Sequence, residues 1–74
     1  MKLNILLKKL LKEKGMTQLE LSHLSSVPQS KISMLCNNNY QELNIANLEK
    51  IATALNIKTI SELMEFSKDD HLES

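Results

Sequence analysis

The chain contains no arginine and no tryptophan, and among its 74 residues it has one glycine, one proline, one cysteine and two aromatic side chains. So little glycine and proline argues against disorder and against a β fold rich in turns. The single Cys36 excludes an internal disulfide, and neither histidine stands at a zinc-ligand spacing from it. The fourteen leucines and six isoleucines must therefore supply a core of packed helices without covalent or metal support.

The net charge is zero, which is the main argument against a nucleic-acid partner because domains that bind nucleic acid are usually basic. The charges are nevertheless unevenly distributed. Residues 1–31 contain six lysines and two acidic residues, whereas residues 32–74 contain three lysines and seven acidic residues. A chain polarised in this way can present a positive face to phosphate. The charge distribution by itself is equally consistent with a surface on which acidic and basic side chains are evenly mixed.

A leucine-rich stretch at residues 3–11 is the one candidate for a targeting or membrane segment, and it fits neither. Lysines interrupt and follow it, no small-residue cleavage site comes after it, and it is too short to cross a bilayer. We therefore expect a cytoplasmic protein with no membrane partner, in which Cys36 stays reduced. Because no set of nucleophile, base and orienting group can be assembled, we also expect no enzyme activity, metal, cofactor or small-molecule ligand.

The first half of the chain predicts two helices. Leucines recur at the helical spacing at positions 3, 6, 7, 10 and 11, which indicates a first helix over residues 2–14 that ends at Gly15. Thr17 and Glu20 have the spacing of a capping box, so a second helix is expected at about 18–25. We expect this helix to bury three leucines, the last of them in part: Leu21, Leu24 and Leu19.

The second half predicts three more helices. Pro28 fits the first turn of helix 3, which buries Ile32 and Leu35 and ends at the asparagines 37–39. Helix 4 lies between caps at Asn44 and Asn56 and is defined by Ile45, Leu48, Ile51, Ala52 and Leu55. A second capping box, Thr59 and Glu62, opens helix 5, which includes Leu63, Met64 and Phe66. The expected fold is all-α, a compact domain of five helices over residues 1–67 with a polar tail at 68–74.

The segment from Thr17 to Ser33 thus reads as two short helices joined by a tight turn. This is the layout of a helix-turn-helix, whose second helix enters the major groove of DNA. At about 100° per residue, the side of helix 3 opposite its buried residues starts with Gln29 and continues with Ser30, Ser33, Met34 and Asn37. Double-stranded DNA is therefore the expected partner.

Gln29 is the strongest candidate for reading a base, because its amide has a donor and an acceptor that match the N6 and N7 groups of adenine. The absence of arginine removes the side chain that most often reads guanine, which favours half-sites containing A·T pairs. The alternative is that the chain uses lysine in place of arginine because of coding bias. In that case the absence of arginine does not indicate a preference for A·T pairs. Lys31 is expected to contact phosphate, and a solvated face is its alternative; the same two readings apply to Lys8, Lys9 and Lys12.

These elements, in this order and at these distances, resemble the lambda-repressor/Cro-like helix-turn-helix family, also called the XRE family. The resemblance covers about residues 3–66 and rests on Leu21 and on four segments: KGMTQ at 14–18, VPQSKIS at 27–33, LEKIATALNI at 48–57 and SEL at 61–63. It implies a five-helix DNA-binding domain, usually dimeric, in bacterial, phage or plasmid regulators. The function expected from it is a transcriptional regulator, most simply a repressor that occupies an operator.

The resemblance also assigns roles to residues. It implies a phosphate contact from Gln18, base contacts from Gln29, Ser30, Ser33 and Met34, and an approach to the DNA backbone by Asn37, Asn38 and Asn39. Three departures from the family pattern stand out: Ser26 and Asn56 each replace a glycine, and one extra residue lies between Asn56 and Leu63. The last of these leaves the position of helix 5 open.

A domain of this size seldom reads enough base pairs alone, so a homodimer is expected, with half-sites roughly 34–36 Å apart. Its interface would involve Leu63, Met64 and Phe66, and the alternative is that these side chains close the core of the monomer. A different function also fits the sequence. The same fold could serve as an antitoxin-like or adaptor module whose main partner is another protein, an option that the zero net charge supports.

Overall fold

The computed structural model describes residues 1–67, which form four α-helices and one pair of antiparallel strands. The elements follow in the order β1 (Lys2–Ile5), α1 (Leu7–Lys14), α2 (Gln18–Ser25), α3 (Gln29–Cys36), α4 (Ile45–Leu55) and β2 (Met64–Ser67). A single turn of 3-10 helix, Ile60–Glu62, precedes β2. The mostly helical fold agrees with expectation. The tail predicted at 68–74 lies outside the described residues.

The prediction of a helix over residues 2–14 is wrong at its start, because Lys2–Ile5 is a strand and α1 begins only at Leu7. Polar and apolar residues alternate along this strand, which is the period of a strand with one face buried. Its partner is β2, and Ile5 pairs with Met64 in the antiparallel register. The backbone N–H of Leu6 donates to the oxygen of Leu63 at 2.7 Å, which continues the pairing past the end of β1.

The prediction of a fifth helix is also wrong. Glu62 does accept hydrogen bonds from the backbone N–H groups of Thr59 and Lys58, at 2.9 and 3.0 Å, as a residue that opens a helix would. The helix stops after one 3-10 turn, and the chain continues as β2. Pairing with β1 satisfies the backbone groups that a fifth helix would have bonded internally. Residues 1–67 therefore form four α-helices and a strand pair instead of five helices.

The helix ends follow the sequence closely. Gly15 closes α1 with φ +65°, and Asn56 closes α4 in the same left-handed region with φ +57°. Asn44 caps α4, since its side-chain oxygen accepts from the N–H of Asn47 at 3.0 Å. These local signals need no knowledge of the tertiary fold, because each acts within four residues of the helix end.

The core is aliphatic and draws on all four α-helices of the described residues, on Ile5 of β1 and on Leu63 just before β2. Its fully buried members are Leu7, Leu21, Val27, Ile32 and Ile51. Leu24, predicted to be buried, is 62% exposed, and Leu19, predicted to be buried in part, is 52% exposed. Ile45, part of the pattern that defines α4, is 64% exposed. Ser25 takes the inward position next to Leu24 and donates to the oxygen of Leu21 at 2.7 Å, which turns Leu24 outward. Ile45 lies in the first turn of α4, ahead of that helix's buried residues.

Candidate nucleic-acid interface

The start of α2 is fixed by the predicted capping box. The hydroxyl of Thr17 accepts from the N–H of Glu20 at 3.0 Å, and the Glu20 carboxylate accepts from the N–H of Thr17 at 2.8 Å. Two backbone donors at the helix start are satisfied in this way. Gln18 is therefore the first residue of α2, as expected, and its side chain is half-buried.

The turn between α2 and α3 is held by serine side chains. Ser26 adopts a left-handed conformation with φ +63°, which costs a non-glycine residue roughly 1–2 kcal/mol. Two hydrogen bonds offset this cost: the Ser25 hydroxyl accepts from the buried N–H of Val27 at 3.2 Å, and the partly buried Ser22 hydroxyl donates to the Val27 oxygen at 2.7 Å. The turn therefore keeps the geometry of a helix-turn-helix although it lacks the glycine usual at Ser26.

The four residues predicted to contact bases lie on one face of α3. Gln29 and Ser30 are exposed, Ser33 is half-buried at the side of the helix, and Met34 is 38% exposed. Ser33 is four residues after Gln29 and three after Ser30, and Met34 is four after Ser30, so these pairs of side chains are neighbours on the helix surface. The opposite face of α3 is buried against the core through Ile32, Leu35 and Cys36. Packing thus fixes which side of α3 faces solvent.

Beside this face lies a shallow groove that the sequence did not predict. Lys31 and Met34 of α3 form one side of it, and Tyr40, Glu42 and Asn44 form the other. Glu42 thereby lines the same groove as the one lysine of α3, so an acidic and a basic residue lie on its two sides. Nothing in the sequence indicates this juxtaposition, because residues 39–44 have no periodic pattern.

Of the three asparagines after α3, only two present free side chains to the surface. Asn37 and Asn39 are exposed, whereas Asn38 is half-buried and left-handed, with φ +53°. The Asn38 amide oxygen accepts from the N–H of Ile5 at 2.7 Å, and its NH₂ group donates to the oxygen of Ile5 at 3.2 Å. The Asn38 amide is therefore bound to β1, an element that the sequence did not predict. This bonding leaves Asn38 less accessible to phosphate than Asn37 and Asn39, and its contact with phosphate stays a prediction.

Gln18 lies where three helices meet, next to the thiol of Cys36. Burial raises the pKa of the Cys36 thiol, and the positive charge of Lys8 and a hydrogen bond with Gln18 lower that pKa in part. The net increase keeps the thiol protonated near neutral pH, which suits a small apolar filler. The lysines of α1 that were considered for phosphate contacts are all exposed, namely Lys8, Lys9 and Lys12.

The three residues expected at a dimer interface have different environments. Leu63 is only 3% exposed and belongs to the core of the monomer, so its assignment to an interface is corrected. Met64 is half-buried, and Phe66 is 65% exposed on β2. Of these three residues, Phe66 alone presents a large exposed apolar side chain.

No group of three or more His, Cys, Asp or Glu side chains in residues 1–67 is arranged to hold a metal ion. Over the same residues, no helix is long and apolar enough to cross a membrane. Comparison with curated proteins and with solved structures finds no match.

The order of the helices, the turn at Ser26 and the exposed face of α3 together form a helix-turn-helix. The model of one protein family, the Cro/C1-type helix-turn-helix DNA-binding domain, matches residues 6–69. This match includes all four α-helices and both sides of the turn. The chain belongs to the Cro/C1-type helix-turn-helix DNA-binding family.

Proposed function

We propose that this protein is a sequence-specific transcriptional regulator, a repressor that occupies a palindromic operator as a dimer with α3 in the major groove. The exposed face formed by Gln29, Ser30, Ser33 and Met34 is the observation that carries the proposal. Such a repressor works in the cytoplasm of a bacterium, on a bacterial, plasmid or phage operator.

Each residue of that face has a chemical counterpart in the groove. The Gln29 amide pairs with the N6 and N7 groups of adenine, the hydroxyls of Ser30 and Ser33 bond to base edges, and Met34 contacts a thymine methyl group. Without arginine the protein favours A·T pairs. Phosphate contacts come from neighbouring groups and fix the register without reading sequence: Gln18, Lys31, Asn37 and Asn39.

The direction in which backbone polar groups point at the two edges of the strand pair supports the dimer. Asn38 bonds both the N–H and the oxygen of Ile5, so these groups point away from β2. In the antiparallel register Ile5 lies opposite Met64, and the polar groups of Met64 and Phe66 therefore point to the outer edge of β2. Within residues 1–67 no strand pairs with that edge. We infer that β2 pairs with β2 of a second copy, with Phe66 at the contact.

Selection from random duplexes, followed by sequencing, tests the proposal. We expect enrichment of a palindromic motif with A·T pairs in each half, and affinity that falls as salt is raised. Binding with no enriched motif would show that the contacts reach only the DNA backbone. Absence of binding at low salt would overturn the proposal.

A second function, that of an adaptor with a protein partner, has its own support. Leu24 is 62% exposed and lines a shallow groove between α2 and α4 together with Ala46 and Ala54. An exposed leucine at a groove suits the helix of a partner protein. A Leu24→Lys variant that retains DNA binding but loses a co-expressed partner would support this role in addition to the first.

A further inference from the structure

The loop after α3 is attached to β1 by three hydrogen bonds. Two of them join the Asn38 amide to the N–H and the oxygen of Ile5, at 2.7 and 3.2 Å. The third runs from the hydroxyl of Tyr40 to the oxygen of Leu3, at 3.3 Å. All three partners on β1 are backbone groups on the edge that faces away from β2. The loop therefore occupies the edge where another strand could otherwise pair.

This attachment fixes the positions of the residues on either side of Asn38. The N–H of Asn38 donates to Leu35 at 3.1 Å and that of Asn39 donates to Met34 at 2.8 Å, so the loop is also continuous with the end of α3. Asn37 and Asn39 remain exposed next to the face of α3. A two-point bond to a strand restricts a loop more than a single bond, because it removes rotation about the contact as well as translation.

The residue type at position 38 is informative. A φ of +53° favours glycine, and asparagine there carries a conformational cost that glycine would avoid. Asn56 has nearly the same conformation, with φ +57°, and is an exposed helix cap. The two asparagines thus share a backbone geometry, but only the side chain of Asn38 bonds to a distant part of the chain.

We propose that Asn38 is a positioning residue for DNA binding, which holds Asn37 and Asn39 at the DNA backbone by fastening their loop to β1. The inference rests on the proposed function, in which those two asparagines contact phosphate. Asn38 itself touches no DNA. Its effect is to order the loop before binding, so that the protein loses less conformational freedom when the complex forms.

The test compares Asn38→Gly with Asn56→Gly, both made in the full chain. Each substitution removes the conformational cost of an asparagine in the left-handed region, but only Asn38→Gly also removes the bonds to β1. With the operator duplex from the selection, and at a temperature where all variants are folded, we expect Asn38→Gly to bind about tenfold more weakly and Asn56→Gly to bind like wild type. The ratio of operator to random-duplex affinity should stay unchanged, because base contacts are not involved.

A double-mutant cycle with Asn37→Ala separates positioning from simple stabilisation. In wild type, Asn37→Ala should weaken binding; in the Asn38→Gly background, it should have little further effect. If Asn38→Gly lowers only the melting temperature and binds the operator like wild type, or if Asn37→Ala costs the same in both backgrounds, the inference is wrong while the proposed function stands. If wild type binds no duplex, both fail together.

Tyr40→Phe provides a second variant should the glycine substitution prevent folding. It removes the hydroxyl that donates to the Leu3 oxygen, adds no charge near the phosphates and keeps both bonds of Asn38. We expect an affinity below that of wild type, with faster amide exchange at residues 37–40. Wild-type affinity together with faster exchange would contradict the proposed link between loop order and binding.

Discussion

Replacing Ser25 by alanine should destabilise the domain through its turn. The Ser25 side chain is 6% exposed, accepts from the N–H of Val27 and donates to the oxygen of Leu21. In the helix, the Leu21 oxygen is also the acceptor of the Ser25 backbone N–H, so it keeps a partner after the substitution. The N–H of Val27 does not, and an unsatisfied buried donor costs about 1–3 kcal/mol.

This cost is large for such a small domain. A domain of 74 residues is stable by about 4–11 kcal/mol, and each kcal/mol lowers the melting temperature of a domain of this size by about 4–8 °C. Thermal and urea denaturation followed by circular dichroism measures the loss. The exposed Ser61 is the control, and its alanine variant should stay within about 0.5 kcal/mol of wild type. Equal stability of the two variants would refute the argument that Ser25 holds the turn.

The remaining predictions concern DNA binding, assembly and pH. Gln29→Ala should relax preference at one base pair, at a cost of about 1–3 kcal/mol, without changing the salt dependence, whereas Lys31→Ala should weaken binding to all duplexes and lower the salt slope by about one. If both variants change the same quantity, the division into base and phosphate contacts is wrong. Phe66→Asp should shift sedimentation at micromolar concentration from dimer to monomer, and an unchanged sedimentation profile would exclude β2 as the interface. Two backbone N–H groups lower the pKa of Glu62, so its contribution to stability is present at neutral pH and is lost as the pH falls through that lowered pKa. The difference in melting temperature between wild type and Glu62→Gln should therefore shrink on acidification, and a constant difference would contradict this assignment.

The parts of the fold that sequence predicts well are those decided by near neighbours. The bounds of α2 follow from Thr17 and Glu20, which bond to each other across three residues. The end of α4 follows from Asn56, whose side chain tolerates the left-handed conformation that closes a helix. In both cases the residues that form the signal are also the residues that form the contact.

The parts that sequence predicts badly depend on distant partners. Residues 2–5 have leucine at helical spacing from the leucines of α1, yet they form a strand because residues 64–67 pair with them. Neither segment indicates a strand pair by itself, since a four-residue alternation is too short to outweigh a longer helical pattern. The site is affected as well. The family resemblance places Asn38 at the DNA backbone, and without β1 nothing in the sequence indicates its bonds to Ile5.

The distribution of charge explains why such positioning matters for binding. The part of the affinity for DNA that comes from counterion release increases with the number of cations at phosphates, and α3 offers only Lys31, with Glu42 in the groove beside it. In the proposed complex, phosphate contacts therefore depend largely on neutral side chains, whose hydrogen bonds are directional and need correct placement. In the proposed complex, a loop fastened to β1 supplies that placement, and the proposed pairing through β2 doubles the number of contacts. The two proposals together account for DNA binding by a domain with no net charge, and they require both an ordered loop and a second copy.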